Sequence, residues 1–395
     1  MSGSVIAPIQ ALRGIAASMV VLWHASRYLA PNGAGRVAEF LQPGAVMGVD
    51  LFFLISGFIM VHTTRDSDGS PGYVAGFLVK RATRIWPVWI VALAVFLASQ
   101  MDATFFTDPA RRVWLARSLV FLPTAGVSAD VPPIFGAPVL GVGWTLNYEM
   151  YFYAFFALSM LLGRWRWAAF FGWVVATVLL IPLTTGNLSQ LPHWWDFFAS
   201  DRHYHYAVQY LNLATSPLIL LFVAGALIGL LYDAPWPAIR MRWLAAMLVL
   251  ISIVLVAVQF AFAFRTLHGV LQWGLTLIPL LLVCALASKS IRIPVPRWLE
   301  FLGDISFSLY LLHPIVLAIV FALVREHAQD WLITRLAVAS AIAASVAVAA
   351  ISHRYVERGV CDALRRAAFR RFPSLRGEKS SRTDASAEAT TTSIA

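Results

Sequence analysis

The chain has 395 residues, of which 59% are hydrophobic and only 13% charged, with a formal net charge of +10 and a mean hydropathy of +0.73. Soluble domains carry about 25% charged residues, so the composition excludes a soluble globular fold and specifies an integral membrane protein whose length is taken up by spans and short loops. The two cysteines, Cys284 in an apolar stretch and Cys361 past the last span, form no disulfide framework.

Apolar stretches long enough to cross about 30 Å of hydrocarbon fall near residues 8 to 29, 46 to 63, 85 to 101, 144 to 162, 166 to 184, 208 to 231, 243 to 263, 269 to 287, 305 to 324 and 332 to 353. The expected fold class is therefore all-α, a polytopic bundle of about ten transmembrane helices, because in lipid only an internally bonded backbone is tolerated. The opening MSGSVIAPIQ lacks the basic region of a cleavable signal, so the first segment reads as a retained span. With the N-terminus inside, the inner loops and tail hold 20 of the 30 Lys and Arg and the outer loops nine, which places both termini in the cytoplasm. VWLARSLVFLP, residues 113 to 123, reads as a re-entrant or surface helix. Residues 1–360 form the transmembrane unit. Residues 361–395 form a tail, basic over LRRAAFRRFPSLR and then rich in Ser, Thr and Ala, expected to be disordered and drawn to anionic lipid instead of nucleic acid.

The first span, IQALRGIAASMVVLWHASRYL, contains Arg13 and His24. Eleven helical steps of about 100° return a side chain to within roughly 20° of its starting direction, after a rise of about 16 Å. Both groups therefore line one face at two depths. An arginine at a helix centre costs roughly 2.5–3.5 kcal/mol on insertion scales, so this face turns toward protein or a water-filled cavity.

Asp50 opens the second apolar run, GVDLFFLISGF, where a helix N-cap and a functional carboxylate are both open readings. At the mouth of the third, FLVKRATRIWP supplies Lys80, Arg81 and Arg84. Guanidinium forks and a helix N-terminus suit phosphate, while positive-inside anchoring competes. Arg13, carrying positive charge inward, favours a phosphorylated ligand with a long arm. The fourth span, GWTLNYEMYFY, sets Glu149 just inside its outer end. Glu149 and Asp50 are thus alternative acids to fix the tautomer of His24. Trp144 and Tyr148 read equally as interfacial aromatics, and Trp144 projects roughly 140° away from Glu149. In the ninth span, Ser306, Tyr310 and His313 fall at i, i+4 and i+7 on one stripe, and Pro314 leaves the Tyr310 carbonyl without its intrahelical donor. Such residues glue spans together or wall a ligand site.

The pieces IQALRGIAASMVVLWHA, GVDLFFLISGFIMVH, KRATRIWP, WTLNYEMYFY, GDISFSLYLLHP and HRYVERGV, in this order, resemble the acyltransferase 3 family of bacterial integral membrane proteins, and most nearly its exopolysaccharide-production branch. The resemblance implies transfer of an acetyl or succinyl group from cytoplasmic acetyl-CoA or succinyl-CoA to a hydroxyl of a lipid-linked or polymeric saccharide outside a bacterial inner membrane. No metal is implied. It makes Arg13 and His24 the signature pair, Arg81 and Arg84 contacts to CoA, and Glu149 an important acid. Some relatives append an esterase-like domain, so polysaccharide-assembly proteins are expected partners here.

Combined with the spacing, the resemblance suggests a division of labour. Lys80, Arg81 and Arg84 hold the donor's polyanionic head. The arm passes Arg13, walled by Ser306, Tyr310 and His313, and His24 deprotonates the acceptor with Glu149 or Asp50 orienting its ring. Trp144, Asn147 and Tyr148 face the acceptor and are candidate oxyanion donors. The alternative is a transporter or flippase of saccharide units, since intramembrane ionisable groups also mark translocation paths.

Overall fold

A computed structural model describes residues 6–32, 35–100, 102, 104–124, 135–187, 206–235, 238–324, 326 and 330–377. Among these residues there is no strand, and only an isolated bridge joins Thr124 to Gly136. The helices that build the bundle are α1 (Ala7–Ser26), α2 (Gly35–Thr63), α3 (Pro71–Gln100), α4 (Pro109–Leu119), α5 (Trp144–Met160), α6 (Arg166–Val174), α7 (Ile219–Asp233), α8 (Arg242–Ala261), α9 (Gly274–Ser288), α10 (Arg297–Asp304), α11 (Ser306–Leu323), α12 (Trp331–Ser352) and α13 (Asp362–Arg371).

Among the described residues, six helical stretches are long and apolar enough to cross a membrane: Arg36–Thr63, Pro71–Gln100, Gly163–Thr184, Arg242–Ala261, Ser306–Leu323 and Trp331–Arg371. This is fewer than the sequence suggests. Four expected spans fall short: α5 has 17 residues, α7 and α9 have 15 each, and α1, though 20 residues long, is not apolar enough; fifteen residues rise only about 22 Å.

Helix α1 carries Arg13 and packs inside the bundle. Ile9, Leu12, Ala16, Ala17, Val20 and Val21 are buried against its neighbours. The sequence permits this because Gly14 follows Arg13: a Cβ at Gly14 would meet Gly303 N and Leu299 O at 2.9 Å, and a Cβ at Gly303 would meet Gln10 O at 2.1 Å. Helices α1 and α10 therefore cross backbone to backbone, which fixes where the Arg13 side chain starts. The most apolar long helix, α8, behaves oppositely, with only Ala245, Ser252 and Gln259 buried.

The structure corrects several expectations. Helix α2 begins at Gly35, well before the apolar run, so Asp50 lies in mid-helix and is not an N-cap. Helix α3 begins at Pro71, which puts Arg81 about three turns inside it. The helix dipole acts only over the first turn, so it contributes nothing at Lys80, Arg81 or Arg84. Both helices run past their apolar segments, and hydropathy marks the segment, not the helix.

Helix α4 settles the reading of residues 113 to 123. It has 11 residues, is N-capped by the Asp108 side chain, and is too short to cross. The Trp86 and Trp89 indoles each donate to its C-terminal end, to Leu119 O and Ser118 O at 3.0 Å, and hold it against α3.

The basic stretch 364–376 is ordered, against expectation. After a π-helical stretch, His353–Cys361, the chain forms α13 and a 3-10 turn, Pro373–Arg376, that lies on α3. Cβ atoms at Gly72 and Gly76 would meet Ser374 O at 2.2 Å and Leu375 O at 2.0 Å, so these glycines admit the turn. Lys80 sits 5.3 Å over the Phe369 ring. The Ser/Thr/Ala-rich end, residues 378–395, lies outside the described residues.

Candidate active site

A cavity enclosing about 910 Å³ of empty space, the open solvent at its mouth included, lies between α1, α2, α3, α5, α7 and α11. Its polar lining is Arg13, Arg81, Arg84, Glu149, Tyr153, Thr145, Ser306 and Tyr310, and Phe52, Phe53, Phe222 and Phe307 supply much of the apolar wall. Residues from four expected groups thus meet in one space: the first-span arginine, the third-helix arginines, the fourth-span acid and the Ser306/Tyr310 stripe.

Two of the three arginines, Arg81 and Arg13, are held by neutral groups. Arg81 is 8% exposed, donates from Nη2 to Thr63 Oγ1 at 2.9 Å, and lies 5.2 Å from the centroids of both the Phe77 and Tyr153 rings. Arg13 donates from Nη1 to Gln10 Oε1 at 3.3 Å, and Gln10 in turn donates from Nε2 to Asp304 Oδ1 at 2.7 Å. Among the described residues no carboxylate lies within ion-pair distance of Arg13, Arg81 or Arg84. Glu149 accepts a hydrogen bond from the Tyr153 hydroxyl one turn along α5, and both face the cavity. Three guanidiniums on an apolar wall, with one carboxylate facing them, are able to attract an anionic group.

Lys80 is exposed and stands off this lining. On the α11 side, Tyr310 lines the cavity, donating from its hydroxyl to Val142 O at 3.1 Å and accepting from Thr145 Oγ1 at 3.1 Å. Ser306 Oγ is fully buried with no hydrogen-bond partner among the described residues. His313 follows on the same stripe, its ring centroid 6.2 Å from Tyr310 and 4.9 Å from His24.

The tautomers of these two histidines follow from their partners. His24 Nδ1 is 2.9 Å from Val20 O and His313 Nδ1 is 3.0 Å from Leu309 O. A carbonyl oxygen only accepts, so each Nδ1 bears the hydrogen and each Nε2 carries the lone pair. His313 Nε2 is buried and unbonded among the described residues. Neither Glu149 nor Asp50 orients His24, contrary to the sequence expectation. The Val20 carbonyl does so, because the ring folds back one turn along its own helix.

Asp50 is fully buried and engaged elsewhere. Its Oδ1 accepts from His268 Nδ1 at 2.5 Å and its Oδ2 from Gly269 N at 2.9 Å. Trp144 packs on His268 and on Tyr148, with ring centroids 5.9 Å apart in each pair. Asn147 is 2% exposed, and neither its amide nitrogen nor its oxygen has a hydrogen-bond partner among the described residues. These three acceptor-side candidates cluster on α5 outside the cavity lining. His268 was missed, since its link to Asp50 spans 218 positions. Tyr153 was also missed, although its place one helical turn beyond Glu149 is a local signal that could have found it. Among the described residues no group of three or more His, Cys, Asp or Glu could hold a metal ion.

Apolar helices long enough to cross a membrane, around a cavity lined by arginines, a carboxylate and hydroxyls, define a membrane protein with an internal polar pocket. The family model described as an acyltransferase domain matches residues 6–354, so the chain belongs to the acyltransferase 3 family. Over 199 residues it is 34% identical to the exopolysaccharide production protein ExoZ of Rhizobium meliloti, covering 50% of this chain and 54% of that protein. Over 236 residues it is 30% identical to nodulation protein 10 of Rhizobium leguminosarum bv. viciae, covering 55% of this chain and 57% of the relative. The matches therefore span about half the length of these curated relatives. No solved structure matches the chain.

Proposed function

We propose that this acyltransferase moves an acetyl or succinyl group from acyl-CoA, bound from the cytoplasm of a bacterial inner membrane, to a hydroxyl of an exported or cell-surface saccharide. The observation that carries the reading is the set of guanidiniums at Arg13, Arg81 and Arg84, which share one cavity without a carboxylate partner within ion-pair distance among the described residues. CoA presents a polyanionic head and a pantetheine arm, and the phenylalanine-rich wall suits that arm. Lys80, exposed beside Phe369, meets the head outside the cavity.

In the proposed step the acceptor oxygen attacks the thioester carbonyl carbon, the carbon–sulfur bond breaks, and the hydroxyl proton passes to His24 Nε2 and from there to the leaving thiolate. Val20 O keeps that nitrogen free to accept. Arg13 and His24 are about 16 Å apart along α1, comparable with an extended pantetheine arm. His313 stands beside His24 as the wall that keeps its ring in place. Glu149 faces the guanidiniums and orders them, while Trp144, Asn147 and Tyr148 face the acceptor.

The test uses the full chain in proteoliposomes with radiolabelled acetyl-CoA and a pooled lipid-linked and polymeric saccharide fraction from the producing cells. Label should appear on saccharide as an alkali-labile ester, with free CoA released. Saccharide flux without acyl consumption would replace the reading with a transporter.

A further inference from the structure

The chain between α8 and α9 is built to hold one imidazole. Residues 262 to 273 are non-helical, yet they reach Asp50 in the middle of α2. Within this loop Ala263 (φ +47°) and Arg265 (φ +51°) adopt the left-handed conformation that L side chains rarely take, and Gly269 has φ +132°. Gln259, 4% exposed at the end of α8, ties the loop at both ends: its Nε2 donates to Arg265 O at 2.9 Å and Gln272 O at 3.0 Å, and its Oε1 accepts from Thr276 Oγ1 at 2.6 Å. Irregular backbone inside a membrane bundle is tolerated where it is enclosed by protein or lines a wet space, and interrupted helices recur at ligand sites. Helix α9 is short because this loop occupies the depth its missing turns would fill.

The loop delivers His268. Both oxygens of the buried Asp50 carboxylate accept hydrogen bonds, from His268 Nδ1–H and from Gly269 N–H, so the ring hydrogen is on Nδ1. Nε2 is left as an acceptor, and no described residue bonds it. The ring retains 12% exposure, and the Trp144 indole stands across it. A hydrogen-bond acceptor locked in one tautomer beside a flat indole matches the surface of a sugar, which offers hydroxyl donors at its edge and C–H groups on its face.

We propose that His268, positioned by Asp50 and flanked by Trp144, is a subsite for the acceptor saccharide, in which Nε2 accepts a hydrogen bond from a sugar hydroxyl other than the one acylated. This rests on the acyl-transfer reading above, and it gives the substrate a second imidazole contact, separate from His24. The proteoliposome assay tests it when labelling is followed against the concentration of the pooled saccharide fraction. His268→Ala should raise the acceptor concentration for half-maximal labelling about tenfold, while the half-saturating acetyl-CoA concentration stays where it is in the wild type. His268→Gln, whose amide oxygen still accepts from a hydroxyl, should recover most of that loss. An unmoved acceptor dependence in His268→Ala overturns the subsite. So does a failure of the alanine variant to bind acetyl-CoA, which would make the pair a loop clamp, and so does a rate loss at saturating saccharide that glutamine leaves uncorrected, which would make His268 a proton acceptor. Wild-type protein that labels no saccharide sinks the acyl-transfer reading itself, and the subsite with it.

Discussion

The arginines and the histidines differ in how their polar groups are satisfied. At the arginine end, Arg13 and Arg81 touch only neutral side chains and aromatic faces, and no carboxylate pairs with them or with Arg84 among the described residues. Away from the arginines, His24 and His313, in ring contact, and His268 on its own loop each commit Nδ1 to a protein oxygen. Cations left without a counter-ion in a low-dielectric interior are stabilised strongly by a bound anion. Rings with one nitrogen committed are oriented before anything binds. The arginines are therefore built for affinity, the histidines for geometry.

That contrast predicts separable losses. The largest effect is expected from His24→Ala, which removes a group whose proton transfer contributes typically 10²–10⁴-fold: transfer to saccharide should fall by about that factor while labelled acetyl-CoA still binds. Retained turnover would remove His24 from the chemistry. Next, Arg81→Ala together with Arg84→Ala should weaken acetyl-CoA binding by at least about 10²-fold, each charge-assisted contact contributing ~1.5–3 kcal/mol, with the rate at saturating donor much less affected. Equilibrium binding of the labelled donor checks this, and unchanged affinity would leave these arginines as orientation signals only. The smallest effect should come from Leu250→Ala on α8, where the side chain is 61% exposed. Its expected change in stability is within about 0.5 kcal/mol, read from the thermal midpoint of the purified protein, and a large loss would mean that α8 is covered by something else.

How much of this was legible depends on the range of the signal. Arg13 could be read as cavity-facing because a buried charge in an apolar helix has few alternatives, and Ser306 and Tyr310 because i, i+4 spacing is a local rule that survives folding. Helix limits were not, since α2 and α3 begin well before the apolar runs, and this removed the N-cap reading of Asp50 and placed it in the core. Glu149 and Asp50 were both open as partners of His24, and neither bonds it, for a similar reason. Depth along a span restricts which groups can meet, but the partner is chosen by packing, and Asp50 turned to a histidine on a loop that carries no periodicity. The docking of α13 was hidden because its sequence is strongly basic, and what admits it is a pair of glycines far away on α3.

Gln10 separates Arg13 from Asp304, bonding both through a neutral amide. An amide passes hydrogen bonds along without cancelling charge, so it acts as an insulator between a cation and an anion that would otherwise quench each other. Its replacement by glutamate, Gln10→Glu, would short-circuit that arrangement: the new carboxylate would neutralise Arg13 and repel Asp304, and the cavity would carry its own competitor for the donor.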